Sequence, residues 1–312
     1  MKTHKLIPVT GLIVFFALAA CQKNTVTPTV QKVVAKAEPD VTITLPKDSV
    51  LLTGTDGNPA DVAVGYLWSQ ISGPGEASIV NESSASATAK HLVEGKYLFQ
   101  FMVIDNNGLS GVDTVGVIVK GPTITTLDLS PTNNPNETNV GIYNGQDASN
   151  HTSIEEPLCA WTINFIPITV RNLLKFDLSS IPANATITSA QLYLYSDTIP
   201  KNGDLVHANS GTDNSFVVQQ VATDWSTASV TWFNQPAGLT ANQVILPSTN
   251  QPFLNMNINV KDMVSSMVSS NANYGFKLFV QNEVLYTCRI FCSSYYSDPS
   301  RHPRLIVKYI KH

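Results

Sequence analysis

Basic residues are scarce: 19 Lys and Arg stand against 23 Asp and Glu in 312 residues, and only 13% of the chain is charged. No stripe of Lys and Arg exists to neutralise a row of phosphates, which argues against nucleic acid as a partner. Histidine is thin and scattered, at positions 4, 91, 151, 207, 302 and 312. No two are spaced by one helical turn, so a helix-borne zinc site is excluded. The four Cys lack zinc-type pairing as well, and the sequence holds no GxSxG, HExxH or phosphate-loop pattern. Past the N-terminal segment no apolar run reaches the roughly 20 residues that cross a hydrocarbon core as a helix. The chain therefore reads as non-catalytic and without a cofactor. A lyase or hydrolase whose carboxylates meet only on folding stays open as an alternative, because fold alone does not settle function.

The N-terminus is the apolar exception. Lys2 and Lys5 precede a run from Leu6 to Ala17, which has the length of a secretory h-region rather than of a membrane span. The segment ends in Leu18-Ala19-Ala20-Cys21, which resembles the lipobox of bacterial lipoproteins. That resemblance implies removal of residues 1–20, acylation (palmitate) of Cys21 and a membrane contact through lipid. Gln22-Lys23 follows without an Asp, a pattern similar to lipoproteins of Bacteroidetes, so an outer-membrane, outward-facing location is expected. Residues 21–36 are polar and without periodicity, as a flexible tether would be.

Thr, Ser, Asn, Val and Ile dominate the remainder in short apolar runs broken by turn residues, which predicts an all-β protein. Residues 37–120 hold five alternating segments, at 41–45, 49–53, 65–71, 96–104 and 112–119. Asp105-Asn106-Asn107-Gly108 between the last two suits a tight hairpin, because Asn and Gly accept positive φ. Tyr66-Leu67-Trp68-Ser69-Gln70, Ser72-Gly73-Pro74, Gly95-Lys96-Tyr97 and Val103-Ile104-Asp105-Asn106-Asn107-Gly108 resemble a PKD-type Ig-like domain. The resemblance implies a small sandwich with Trp68 as its core tryptophan and a spacer role. Ca²⁺ at the acidic loops of Asp56, Asp61 and Asp105 is the alternative to plain turn chemistry; EF-hand spacing is absent.

Residues 121–312 repeat the short-strand pattern at 171–178, 188–195, 215–221, 229–233, 254–260, 274–280, 285–292 and 304–310. Val260, Met263, Val264, Met267 and Val268 fall on one helical stripe, so a single short helix is expected there. The blocks Leu173-Leu174-Lys175-Phe176-Asp177-Leu178-Ser179-Ser180-Ile181-Pro182, Asp224-Trp225-Ser226, Val230-Thr231-Trp232-Phe233-Asn234-Gln235-Pro236, Ser293-Ser294 and His302-Pro303-Arg304-Leu305-Ile306-Val307 resemble a DNRLRE-type domain. Tyr295 departs from the polar residue often found after the two serines. The resemblance implies a jelly-roll β-sandwich similar to carbohydrate-binding modules described for alginate, an acidic uronate polymer, and so a polysaccharide partner such as alginate or pectin. An adhesive or structural surface protein that binds protein partners is the other alternative; in either case a monomer is expected.

Glycan binding calls for flat aromatics to stack on sugar faces, and an acidic glycan calls for cations. Trp225 and Trp232 lie inside the motif blocks and are expected to be structural. Trp161, Tyr286 and Tyr295 are the aromatic candidates, with Tyr143 and Tyr296 behind them. Arg171 and Lys175 share the face opposite Leu174 and Phe176, and Arg289 falls on a strand that could neighbour them, so the three would line a cationic groove. Glu155-Glu156 precedes Pro157 and is expected in a solvated loop. Of the remaining cysteines, Cys288 and Cys292 would sit about 13 Å apart along one strand, too far to bridge. Cys159 with Cys288 is the favoured disulfide; three buried free thiols are the alternative.

Overall fold

Period-two alternation builds the N-terminal strands, with every second residue turned inward. In the computed structural model, which describes residues 32–57, 63–131 and 136–312, they are β1 (Ala35–Ala37), β2 (Val41–Thr44), β3 (Val50–Asp56), β4 (Ala63–Ser72), β5 (Ser78–Val80), β6 (Ser86–Lys90), β7 (Gly95–Asp105) and β8 (Ser110–Lys120). They form two four-stranded sheets, in the orders β1-β3-β6-β5 and β2-β8-β7-β4. Trp68 is 1% exposed and packs on Phe101 with ring centroids 4.7 Å apart, the core role expected of it. Asp105 closes its hairpin by accepting the N–H groups of Asn107 and Leu109 at 2.9 and 2.8 Å, with Gly108 at φ +79°. Its carboxylate is thus engaged in turn chemistry. The signal segment, Cys21, most of the tether and Asp61 lie outside the described residues. The last residues of 21–36 do not continue a tether: Val33 is buried and β1 pairs with β3, Ala35 opposite Asp56.

The described residues fall into two compact units, and the second is again an all-β sandwich. Its strands are β9 (Ile124–Leu129), β10 (Glu137–Tyr143), β11 (Gln146–Asp147), β12 (Glu155–Ile163), β13 (Ile166–Leu174), β14 (Thr186–Leu194), β15 (Asn209–Ser210), β16 (Phe216–Val221) and β17 (Gly238–Leu246). They continue with β18 (Met256–Asn259), β19 (Phe276–Val280), β20 (Thr287–Cys292) and β21 (Arg304–Ile310). One nine-stranded sheet runs β15-β20-β12-β13-β19-β16-β17, with β10 added on β13 and β11 on β10; a four-stranded sheet runs β18-β14-β21-β9. Leu158, Leu174, Phe216, Phe276, Leu278 and Phe291 of the larger sheet meet Leu192, Leu194, Leu305, Val307 and Tyr309 of the smaller in one core.

Helix α1 (Lys261–Ser269) appears where the stripe predicts it and packs on β14 and β17. It buries Met263, Val264, Met267 and Val268, worth about 1.5–3 kcal/mol for each side chain. Three expectations are corrected. Residues 229–233 form turns rather than a strand. β13 begins before Arg171, after the turn of Asn164 and Phe165, whose φ values of 50° and 66° are the left-handed pair of a tight hairpin. The third correction concerns β10 and β12, which the sequence pattern conceals because they carry buried polar residues.

Candidate functional site

The block from Ser229 to Pro236 is a loop clamped by Asn234. Its side chain accepts the Thr231 N–H at 2.6 Å and donates to the Ser229 carbonyl at 2.9 Å. The Trp232 N–H donates to Asp147 of β11 at 2.8 Å. Burial works against the Asp147 carboxylate, but hydrogen bonds from Trp232 and Ser149 outweigh it and hold the group below the usual range. The clamp brings Trp232 to the surface, half-buried, instead of into the core where its motif suggested it belongs. The other motif tryptophan, Trp225, is the structural one: it is buried and its indole N–H donates to the Tyr274 carbonyl at 2.8 Å.

Arg171 lies over Trp232. Its guanidinium carbon is 4.5 Å from the Trp232 ring centroid and 5.7 Å from that of Phe279, within cation–π range of both. Nε and Nη2 donate to the two carboxylate oxygens of Glu283 at 2.6 and 2.9 Å, a bidentate fork. Nη1 reaches Gln235 Oε1 at 3.4 Å. Strand register extends the patch. Phe279 stands opposite Val217, which stands opposite Ile245, giving an apolar row across β19, β16 and β17. The next row is polar: Lys277 stands opposite Gln219, whose amide donates to Gln243 at 2.7 Å. Lys277 Nζ donates to the Pro236 carbonyl at 3.0 Å. Burial, and then the charge of Arg171, push this ammonium down to about 8. The half-buried Trp232, Phe279 and Gln243 and the exposed Ile245 present apolar and amide groups that suit a sugar chain, with its C–H faces and hydroxyls; Val217, Gln219 and Lys277 of the same rows are buried.

The expected residues divide. Arg171 takes part. Lys175 lies further along, with Nζ 3.1 Å from Asp224 and over the Trp225 ring. Arg289 is a correction. It is 0% exposed and stacks on Phe216 at 4.9 Å, so it faces the core and lines no groove. Trp161 is half-buried with Tyr286 edge-on at 5.2 Å, a second aromatic pair. Tyr286 ends the segment that supplies Glu283, beside a cleft of about 440 Å³ lined by Thr212, Asp213, Asn282 and Leu285. Tyr295 follows the far end of β20 from Tyr286, about 20 Å along the strand, so it belongs to neither group. Tyr296 is structural: its hydroxyl donates to Asp197 at 3.1 Å.

Two further groups bear on the sequence reading. Cys159 and Cys288 stand directly opposite each other on β12 and β20, and both, like Cys292, are buried free thiols. Glu155 and Glu156 are buried in β12, not in a solvated loop. Burial pushes the Glu155 carboxyl up to about 7, against hydrogen bonds from Lys201 N–H and Asn202, with the Asp197 carboxyl adding to the rise. What sequence reasoning missed at the surface patch is Trp232, Phe279 and Glu283; the first sits in a motif that reads as core, and no local signal marks the other two.

Residues 37–119 match the family described as K319L-like, PKD domain, and residues 160–308 match carbohydrate-binding module family 96. The first stretch is similar to the Dyslexia-associated protein KIAA0319-like protein of Mus musculus, 40% identical over 86 residues, which is 28% of this chain and 8% of that protein. It is also similar to Low-density lipoprotein receptor-related protein 11 of Homo sapiens, 34% identical over 27% of this chain and 17% of that protein. The chain thus spans less than a fifth of either relative. Among solved structures, the PKD domain from KIAA 1837 protein is 37% identical over 28% of this chain and 85% of that one, with a TM-score of 0.27. A structure described under the promiscuous specificity of carbohydrate-binding modules from the β-sandwich superfamily is 13% identical, covering 89% of this chain and 90% of that one, with a TM-score of 0.22. Residues 37–119 are thus similar to a PKD domain, and residues 160–308 to a carbohydrate-binding module of family 96.

Proposed function

We propose that this protein is a non-catalytic surface lipoprotein whose C-terminal sandwich binds polysaccharide at the Trp232–Arg171–Phe279 patch. The observation that carries the reading is an indole held at the surface by a clamped loop, with a guanidinium stacked on it. The family match of residues 160–308 supports the ligand class. The ligand is an acidic glycan such as alginate or pectin: Arg171 exchanges Glu283 for a uronate carboxylate while keeping its bidentate geometry. The PKD-like domain acts as spacer, and the lipid on Cys21 fixes the protein, as a monomer, to the outward face of the outer membrane. The test is retention of the purified protein in gels containing alginate, pectin or neutral glucans, with a panel of plant, algal and host glycans behind them. Retardation by a uronate polymer is expected. Free migration through every glycan would sink the reading, and retardation by neutral glucans alone would overturn the acidic ligand.

A further inference from the structure

Four neighbouring segments of the C-terminal sandwich bring five buried, oxygen-bearing side chains to one place. Glu137 and Asn139 are two residues apart on β10 and so share a face. Asn172 of β13 is the cross-strand partner of Asn139. The Glu156 carboxyl, on β12, lies within hydrogen-bonding reach of the Glu137 carboxyl. Ser294, just past β20, donates its backbone N–H to both Glu137 oxygens at 2.9 and 3.2 Å. All five residues are more than nine-tenths buried. Yet Asn139 Oδ1, Glu156 Oε2, Ser294 Oγ and both amide atoms of Asn172 have no hydrogen-bond partner among the described residues. Orphans in such number are costly, at about 1–3 kcal/mol each; all but the Asn172 amide nitrogen are oxygens, and the oxygens call for a cation.

The preceding residue of β12 shows how the same fold treats a buried acid that needs only hydrogen bonds. Glu155 Oε1 accepts the Lys201 N–H at 2.5 Å and Oε2 accepts the Asn202 amide at 2.6 Å. Its neighbour Asp197 accepts the Ile199 N–H at 2.9 Å and the Tyr296 hydroxyl at 3.1 Å. That pair is ringed by donors. Around Glu137 and Glu156, Ser294 N–H is the donor that engages a carboxylate among the described residues; the Asn139 amide donates instead to the Glu155 carbonyl at 3.0 Å, which leaves its Oδ1 unbonded. No Lys or Arg forms an ion pair with either carboxylate among the described residues.

We propose that Glu137, Asn139, Glu156, Asn172 and Ser294 form a buried Ca²⁺ site. Two carboxylates balance the ion's charge, and two amide carbonyls and a hydroxyl supply neutral oxygens. The all-oxygen set selects a hard cation. Ca²⁺ takes six to eight oxygens in irregular geometry, whereas Mg²⁺ demands a near-ideal octahedron and keeps several waters, which a buried site disfavours. No group of three or more His, Cys, Asp or Glu suited to a metal occurs among the described residues, so the site depends on Asn and Ser to complete it. The ion would tie β10, β12, β13 and the turn after β20 together, beneath the strand that carries Arg171.

The test uses the purified protein, first stripped with EGTA. Elemental analysis after dialysis against micromolar CaCl2 should find about one Ca²⁺ per chain, and CaCl2 in excess should raise Tm by roughly 5 °C or more over EGTA. MgCl2 at the same concentration should leave Tm near the EGTA value. Glu156→Gln should lose both the bound ion and the Tm response. Asn172→Ala, which changes no charge and carries the test if Glu156→Gln does not fold, should weaken the response at least tenfold in calcium concentration. Equal Tm in EGTA and CaCl2 with no retained ion overturns the proposal, and so does calcium binding that survives both substitutions. A preference for Mg²⁺ overturns the choice of ion.

Discussion

Two arginines show how much a single residue's surroundings decide. Arg171 and Arg289 carry the same guanidinium, and the sequence offers no reason to separate them. Arg171 sits at the surface between Trp232 and a bidentate Glu283. Among the described residues Arg289 is buried without a carboxylate partner, with Nε unbonded and weak contacts to the Met256 sulfur at 3.2 Å and to Asn214 and the Pro247 carbonyl, both at 3.5 Å. Burial pushes its guanidinium down to about 10. Trp232→Ala should weaken polysaccharide binding by about 2 kcal/mol, some thirtyfold, as truncation of a central aromatic does, with Tm unchanged. Glu283→Gln should free Arg171 and raise affinity for alginate but not for neutral glucans; calorimetry on both variants checks this. Arg289→Met should leave glycan affinity unaltered. It should also keep stability within about 1 kcal/mol, because an apolar side chain of similar length replaces a desolvated charge. A loss of binding in a folded Arg289→Met protein would restore Arg289 to the site.

At the scale of elements, β12 and β20 place the three remaining cysteines, and their burial governs their chemistry. Burial pushes the Cys159 thiol well above its ordinary value, Cys288 up to about 11 and Cys292 up to about 12, so little thiolate exists at neutral pH. Maleimide should leave Cys159, Cys288 and Cys292 unmodified in the native protein and label all three in urea, read by mass spectrometry of peptides. Labelling of Cys292 alone in urea without reductant would mean that the opposed pair Cys159 and Cys288 had joined. The same two strands show where pattern reading fails. The helix at Lys261–Ser269 was legible because its apolar stripe repeats with the helical period. β12 was not, because Glu155, Glu156 and Pro157 interrupt the alternation while all three are buried. β10 failed for the same reason, with Glu137, Thr138 and Asn139 all inside. Polar residues in strand interiors mark places where local rules yield to a site.

For the whole molecule, stability should depend on pH through Lys277. Its folded-state value of about 8 lies below the ordinary 10.5, so between those values the unfolded chain binds more protons than the folded one. Stability should therefore rise as pH increases from about 8 to 10.5. Arg171 and Glu283 are the charged groups that face it. Chemical denaturation across that window checks the slope, and Lys277→Met should flatten it. If the slope survives in the variant, another group is responsible.

Composition and pattern alone determined the all-β class and the short helix, since each rests on local periodicity, while ordered motif blocks carried the resemblance to a PKD-type domain and to a carbohydrate-binding module. Tertiary structure decided the rest. The Asn234 clamp brought Trp232 out of an apparent core motif, and strand register set Phe279 and Lys277 beside it, while Glu283 came from a loop remote in sequence. It also sent Arg289 inward and drew Glu137 and Glu156 together from different strands. The physical reason is the same throughout: period-two alternation says which residues share a face of a strand, but not which strands lie side by side or which face is covered.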